Sequence, residues 1–255
     1  MRILSLPRIS FIAVLFFSLI SCSEKESFQT EPLTDYLPVT PGKYITYRLD
    51  STVFTNFGRN TEVHSYQEKH VIDALIDTMG HQSYRVFRYL RDSAGLQSWQ
   101  PMPGGTYYIT LYNDQIEVIE NNLRFIKLHA PLRDGYNWRG NRYIPTDPYG
   151  SLYTFSNDDN MEDWDYFYDG SPTSFSYRNK NYDDVYTVEE TDENYNVPIV
   201  DPAAYAARSR AVERYSKTIG LVYREYEMWE YQPNPGGPSP YKIGFGIKEW
   251  MIDHN

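Results

Sequence analysis

Thr106-Tyr107-Tyr108-Ile109-Thr110-Leu111-Tyr112, then Asn113-Asp114, then Gln115-Ile116-Glu117-Val118-Ile119-Glu120: this stretch decides the fold. Two runs of β-branched and aromatic residues flank two turn-prone residues, which is the pattern of a tight antiparallel hairpin. The same grammar extends in both directions. Upstream, Pro41-Gly42 opens the folded part, 43–54 alternates as a first strand, and 61–77 reads as a second. Met79-Gly80-His81 turns the chain so that 83–91 pairs back, and 99–102 predicts a short edge strand broken by Pro101 and Pro103. Downstream, 123–128, 184–190, 219–231 and 241–252 read as strands, the last with Gly244 and Gly246 marking a bend or bulge. Strands do not alternate with helices, and no long internal repeat stands out. The fold class is therefore mainly β, an antiparallel curved sheet or partly closed barrel.

Two regions depart from this rhythm. Asp201-Pro202-Ala203-Ala204 has a capping aspartate followed by proline and alanines, which predicts a short helix near 202–215. The competing reading is a strand through Ala211-Val212-Glu213-Arg214-Tyr215. From about 130 to 182, prolines and glycines are frequent, and an irregular insertion is expected. A segment of that length is often functional.

The N-terminus sets the location. Arg2 and Arg8 precede an apolar run of about a dozen residues, well short of the roughly 20 that span a bilayer. Leu19-Ile20-Ser21-Cys22 follows, and Cys22 is the only cysteine in the chain. These residues resemble the lipobox of bacterial lipoproteins. The resemblance implies a signal peptide over 1–21, lipidation at Cys22, and a polar tether over 22–38 before a single β domain at 39–255. Acyl chains on one residue anchor stably, because each buried CH2 contributes about 0.8 kcal/mol. Ser23-Glu24-Lys25-Glu26 is similar to the surface-export signal of Bacteroidota-type lipoproteins. An outer-membrane, cell-envelope location is expected, on either the periplasmic or the exposed face.

The formal charge of −10 becomes more negative once Arg2 and Arg8 are removed. That argues against nucleic acid as a partner, since binding it requires a basic footprint. A lone cysteine excludes a disulfide framework. Tyrosine is the outlier, with 25 residues. Such rings suit strands and also binding surfaces.

No nucleophile elbow, phosphate-binding loop, dinucleotide fingerprint or zinc-protease motif is present in the sequence. Of the histidines His64, His70, His81, His129 and His254, only His64 and His70 share strand parity, about 20 Å apart, so all five read as surface residues. Asp158, Asn160 and Glu162 alternate as oxygen ligands do, and Asp169 stands where a calcium loop ends, but Asp163 replaces the required glycine. A loose Ca²⁺ site is the one cofactor these residues admit. Glu117 and Glu120 have opposite strand parity, so they suit cross-strand charge pairing better than a glycosidase pair. Tyr136, Trp138, Arg139, Asn141 and Arg142 lie in a turn-rich loop suited to a sugar ring or a peptide.

Lys217-Thr218-Ile219-Gly220-Leu221-Val222-Tyr223-Arg224-Glu225, with the lipobox and the Tyr-rich body, also resembles Bacteroidota-type lipoproteins. No catalytic residue follows from that resemblance. The expected function is binding or scaffolding of an envelope protein, glycan or peptide. Two alternatives remain open: a half-barrel carrier of lipid or another hydrophobic ligand, and a hydrolase built on an unrecognised carboxylate pair.

Overall fold

A computed structural model describes residues 31–78, 80–237 and 239–255. Cys22, the signal segment and most of the expected tether lie outside the described residues. The strands are β1 (Tyr44–Thr55), β2 (Asn60–Thr78), β3 (His81–Asp92), β4 (Gln100–Leu111), β5 (Gln115–Glu120), β6 (Leu123–His129), β7 (Asn137–Arg139), β8 (Asp165–Tyr168), β9 (Thr173–Tyr177), β10 (Lys180–Tyr195), β11 (Ala206–Ser216), β12 (Gly220–Gln232) and β13 (Tyr241–His254). They form one antiparallel sheet in the order β6-β5-β4-β3-β2-β1-β13-β12-β11-β10-β8-β7, with β9 paired to β10. The hairpin at Asn113-Asp114 forms as its sequence predicts, with Tyr112 N–H donating to Gln115 O at 2.9 Å.

The sheet curls until its two ends meet. Ile126 N–H on β6 donates to Gly140 O, just past β7, at 2.8 Å, and the Trp138 indole N–H donates to Ile126 O at 2.8 Å. Curvature comes from bulges, each of which adds local bend and twist. Register shifts occur at Thr46/Tyr47, Ile72/Ala74, Ile116/Glu117, Glu189/Thr191 and Arg214/Tyr215. The result is a nearly closed barrel.

Several expectations are corrected. Residues 206–216 form β11, not a helix. Asp201 does accept from Ala203 N–H at 2.9 Å, but the motif makes only a turn. Alanine propensity is worth a few tenths of a kcal/mol per residue, and it loses to a strand paired along both edges, with β10 and β12. The one α-helix among the described residues, α1 (Leu33–Tyr36), falls instead in the stretch read as tether. Leu33 and Tyr36 are buried there, and Thr218 N–H donates to Asp35 O at 2.6 Å. Apolar side chains at 33, 36 and 37 find the open end of the barrel and plug it. Finally, Pro101 and Pro103 do not isolate an edge strand, because β4 runs through them to Leu111. The region 130–182 is only partly irregular, since β7, β8 and β9 arise within it.

Tyrosines fill the interior and satisfy their hydroxyls on backbone carbonyls. Tyr47 donates to Leu221 O at 3.0 Å, Tyr182 to Met251 O at 3.0 Å and Tyr168 to His129 O at 2.7 Å. A large ring with a polar tip lets a strand protein bury volume without orphaning the hydroxyl.

A charged layer inside the barrel

The interior is divided into three levels. Near α1 lies an apolar core that includes Tyr47, Ile72, Val86, Ile109, Val118 and Leu221, enclosing a cavity of about 50 Å³. At the far end a second core gathers Phe125, Ile144, Met161 and Met228, with Tyr149, Tyr226 and Phe245 against it. Between them sits a belt of charge. Glu213, Arg224 and Glu249 are direct cross-strand neighbours on β11, β12 and β13. Glu68 comes from β2, Arg88 from β3, Glu120 from β5, Lys127 from β6 and Glu190 from β10.

The belt is knit by short contacts. Lys127 Nζ lies 2.6 Å from Glu190 Oε1 and 3.2 Å from Glu213 Oε1. Arg224 Nε lies 2.8 Å from Glu213, and its Nη1 reaches Glu120 at 3.5 Å and Glu249 at 3.7 Å. Arg88 binds Glu120 at 2.5 Å and approaches Glu68 at 3.8 Å. Burial by itself would raise the Glu213 carboxyl, but Lys127, Arg224 and the Tyr215 hydroxyl hold it down at about 2. Burial drives Glu249 up to about 7, since Arg224 only partly offsets it and Glu68 adds repulsion. Glu190 is also raised by burial, although Lys127 opposes the shift. Lys127 itself stays above its ordinary range because Glu190 and Glu213 outweigh the cost of burying it.

A cavity of about 350 Å³ opens on this belt. Its floor carries Glu68, Glu249, Arg224 and Lys127, and its walls carry Phe125, Tyr226, Phe245 and Ile247. Met102, Pro103 and Leu152 lie at its outer rim, with Leu152 72% exposed. The volume falls within the range of small-molecule sites, roughly 300–1,000 Å³. The roof is the loop between β7 and β8, and it is pinned rather than loose. The Tyr149 and Tyr226 hydroxyls meet at 3.0 Å, Ser156 N–H donates to Glu230 at 2.6 Å, and Asn157 donates to Arg208 O at 2.9 Å.

The residues singled out from sequence take other places. Trp138 and Asn141 are buried at the barrel seam, where Asn141 accepts from the Tyr166 hydroxyl. Tyr136 stacks on Trp138 and meets His129 Nδ1 at 3.1 Å. Arg139 pairs with Asp163 and Asp165, and Arg142 donates to the Tyr143 hydroxyl at 2.8 Å. Tyr136, Trp138 and Arg142 reach across the seam to His129, Ile126 and Gln115, while the Arg139 pairs stay on the β8 side. Asp158 turns inward to accept from Tyr149 N–H at 2.9 Å, Asn160 takes a left-handed conformation (φ 60°), and Glu162 accepts from Thr146 at 2.8 Å. Glu117 binds Arg124 at 2.6 Å, while Glu120 faces the belt, so the two do point to opposite sides.

Sequence reasoning missed the belt, and His70 in particular. His64 is exposed, as expected, but His70 is buried on the inner face of β2. Its signal was parity: Glu68, His70 and Ile72 alternate inward on one strand, and charged residues at core-facing positions rarely occur without partners. The partners are on distant strands.

No protein-family model matches the chain, and no curated protein matches it. Two solved structures are similar. One is a protein of Bacteroides fragilis NCTC 9343 with a YMCC-like fold, named a "putative exported protein". It has a TM-score of 0.41 and 9% identity over 85% of this chain and 98% of that one. The other is a DUF1329 family protein of Desulfovibrio piger ATCC 29098, with a TM-score of 0.19 and 10% identity over 84% of this chain and 85% of that one. At such scores the likenesses carry no argument about function.

Proposed function

We propose that this chain is an envelope binding protein that holds a small amphipathic molecule inside its barrel, tethered to the outer membrane through lipidated Cys22. The observation that carries this reading is the 350 Å³ cavity with apolar walls and a charged floor. The lining fits a ligand whose apolar part meets Phe245, Ile247 and the rim at Met102 and Leu152. Its head would donate hydrogen bonds or carry positive charge, because glutamates outnumber Arg88, Lys127 and Arg224 over the lining as a whole. A purely apolar cargo fits less well, since a fatty chain running through the barrel would desolvate the belt.

The test has two steps. Native mass spectrometry of protein released from membranes in mild detergent would detect a co-purifying small molecule. Thermal-shift titration would then compare short alkylamines with the matching carboxylic acids. Stabilisation by the amines, lost in Leu152→Arg at the rim, is expected. Preference for the acids, or stabilisation indifferent to Leu152→Arg, would overturn the reading.

A further inference from the structure

Three buried side chains in the belt have polar atoms that face one another without a hydrogen bond. Glu68 Oε1, His70 Nε2 and Glu249 Oε2 each lack a hydrogen-bond partner among the described residues. Their residues are 2%, 7% and 2% exposed. Buried polar atoms in native proteins are nearly always hydrogen-bonded, and here the one close contact is His70 Nε2 with Glu68 Oε1 at 3.1 Å, while Glu249 Oε2 is left without a hydrogen bond. One ligand atom from each lies within 4.8 Å of the others, and this is the one such grouping of histidine, cysteine and acidic side chains among the described residues.

We propose that Glu68, His70 and Glu249 bind a single divalent transition-metal ion of the zinc class. The grouping is built by the sheet. Glu68 and His70 are two apart on β2 and so share its inner face, and Glu249 lies on β13. β1 pairs with both strands, Tyr47 opposite Glu68 and Leu49 opposite Glu249. His70 Nε2 stands 3.1 Å from Glu68 Oε1, close to the roughly 3.3 Å edge of a tetrahedron drawn with zinc–ligand bonds near 2.0 Å. The imidazole is already oriented. Its Nδ1 meets the Tyr107 hydroxyl at 3.1 Å, and its ring packs edge-on to Tyr47 and Tyr107. An outer partner on the second ring nitrogen is the usual way a ligating histidine is held.

Charge agrees with a divalent cation. The belt sets five carboxyls, Glu68, Glu120, Glu190, Glu213 and Glu249, against Arg88, Lys127 and Arg224. Carboxyls outnumber cations there by two, which matches the charge of one divalent ion. The arginines do not fill the place. Arg224 is 3.7 Å from Glu249 Oε2 and Arg88 is 3.8 Å from Glu68 Oε1, while their short contacts go to Glu213 and Glu120. An imidazole donor selects a first-row transition ion over Ca²⁺ or Mg²⁺. Glu68 and Glu249 also line the 350 Å³ cavity, so an ion held by them would be reachable from it.

This inference does not depend on an organic ligand, and its test uses the metal alone. Full-length lipidated protein in detergent, stripped with chelator, would be titrated with Zn²⁺ by calorimetry, and metal content counted after desalting. Co²⁺ substitution would report ligand geometry through its visible bands. One ion per chain is expected, with affinity at least about tenfold weaker in His70→Gln and Glu249→Gln. Affinity should be unchanged in His81→Gln, which alters a histidine outside the belt. Circular dichroism would show that the variants are folded. If a variant fails to fold, the wild-type stoichiometry and cobalt spectrum still decide. No saturable uptake by wild type, uptake that the two belt variants leave intact, or an octahedral all-oxygen cobalt spectrum would overturn the proposal.

Discussion

Lys127→Met tests whether the belt is a cooperative element of the fold. Lys127 is 7% exposed and is the only cation within 4 Å of Glu190 among the described ion pairs. Methionine keeps most of the volume and removes the charge, so Glu190 is left buried with no counterion and Glu213 keeps only Arg224. Breaking a buried pair from one side costs roughly 3–5 kcal/mol, because the surviving charge has already lost its water. For a domain of this size that corresponds to a fall in melting temperature on the order of 10 °C. The sign with pH follows. Without Lys127 the folded pKa of Glu190 rises further above its unfolded value, so the folded state holds a proton that the unfolded state releases. Stability is then lost as pH rises above the unfolded value, and the variant should suffer more at pH 8 than at pH 5. Urea unfolding at the two pH values measures this directly. Adding Glu190→Gln should return most of the loss, since the orphaned charge is gone. A loss under about 1 kcal/mol, or a double variant no better than the single one, would refute the idea that buried charge here is held by specific pairing.

Two further predictions concern the same architecture. Glu213→Gln should destabilise by about 3 kcal/mol at neutral pH, because a carboxyl held at about 2 contributes stability that is fully present above its unfolded pKa. That difference should shrink as pH falls from about 4.5 toward 2, and parallel denaturation curves of wild type and variant across this range would show a constant gap if the assignment is wrong. Gly140→Ala should open the barrel seam, since a Cβ there would overlap the Tyr166 ring. A cost of roughly 1–3 kcal/mol, with an altered near-ultraviolet spectrum from Trp138 and Tyr166, is expected. An unchanged spectrum and melting point would count against tight packing at the closure.

Strand-level features were legible along the chain because period-two alternation is a local property. The hairpin at Asn113-Asp114 and the final strand with Gly244 could be read directly, and Gly244 does adopt a positive φ (122°) close against the Met228 backbone. Residues 202–215 misled because their local signals favour a helix. Aspartate and proline there set a turn, and the strand that follows is chosen by its neighbours β10 and β12. Leu33 and Tyr36 looked like part of a tether because two apolar residues in a polar stretch carry no periodicity. Only the open barrel end gives them somewhere to be buried. The aromatic loop at 136–142 had the composition of a binding surface, yet Trp138 serves the seam, where its indole N–H is needed by Ile126 O.

The sequence by itself therefore determined the class of fold, the positions of most strands, and the expectation of a lipidated N-terminus at Cys22. All of these are written in runs of adjacent residues. Tertiary structure alone decided the closure of the sheet and the convergence of Glu68, His70, Lys127, Glu190, Glu213, Arg224 and Glu249. The physical reason is that alternation tells which face of a strand a residue occupies, but not which residues of other strands face it across the barrel. That depends on strand order and on the bulges that shift register. Each of these charges is costly to bury when considered alone, and becomes tolerable only beside partners the fold brings from elsewhere in the chain.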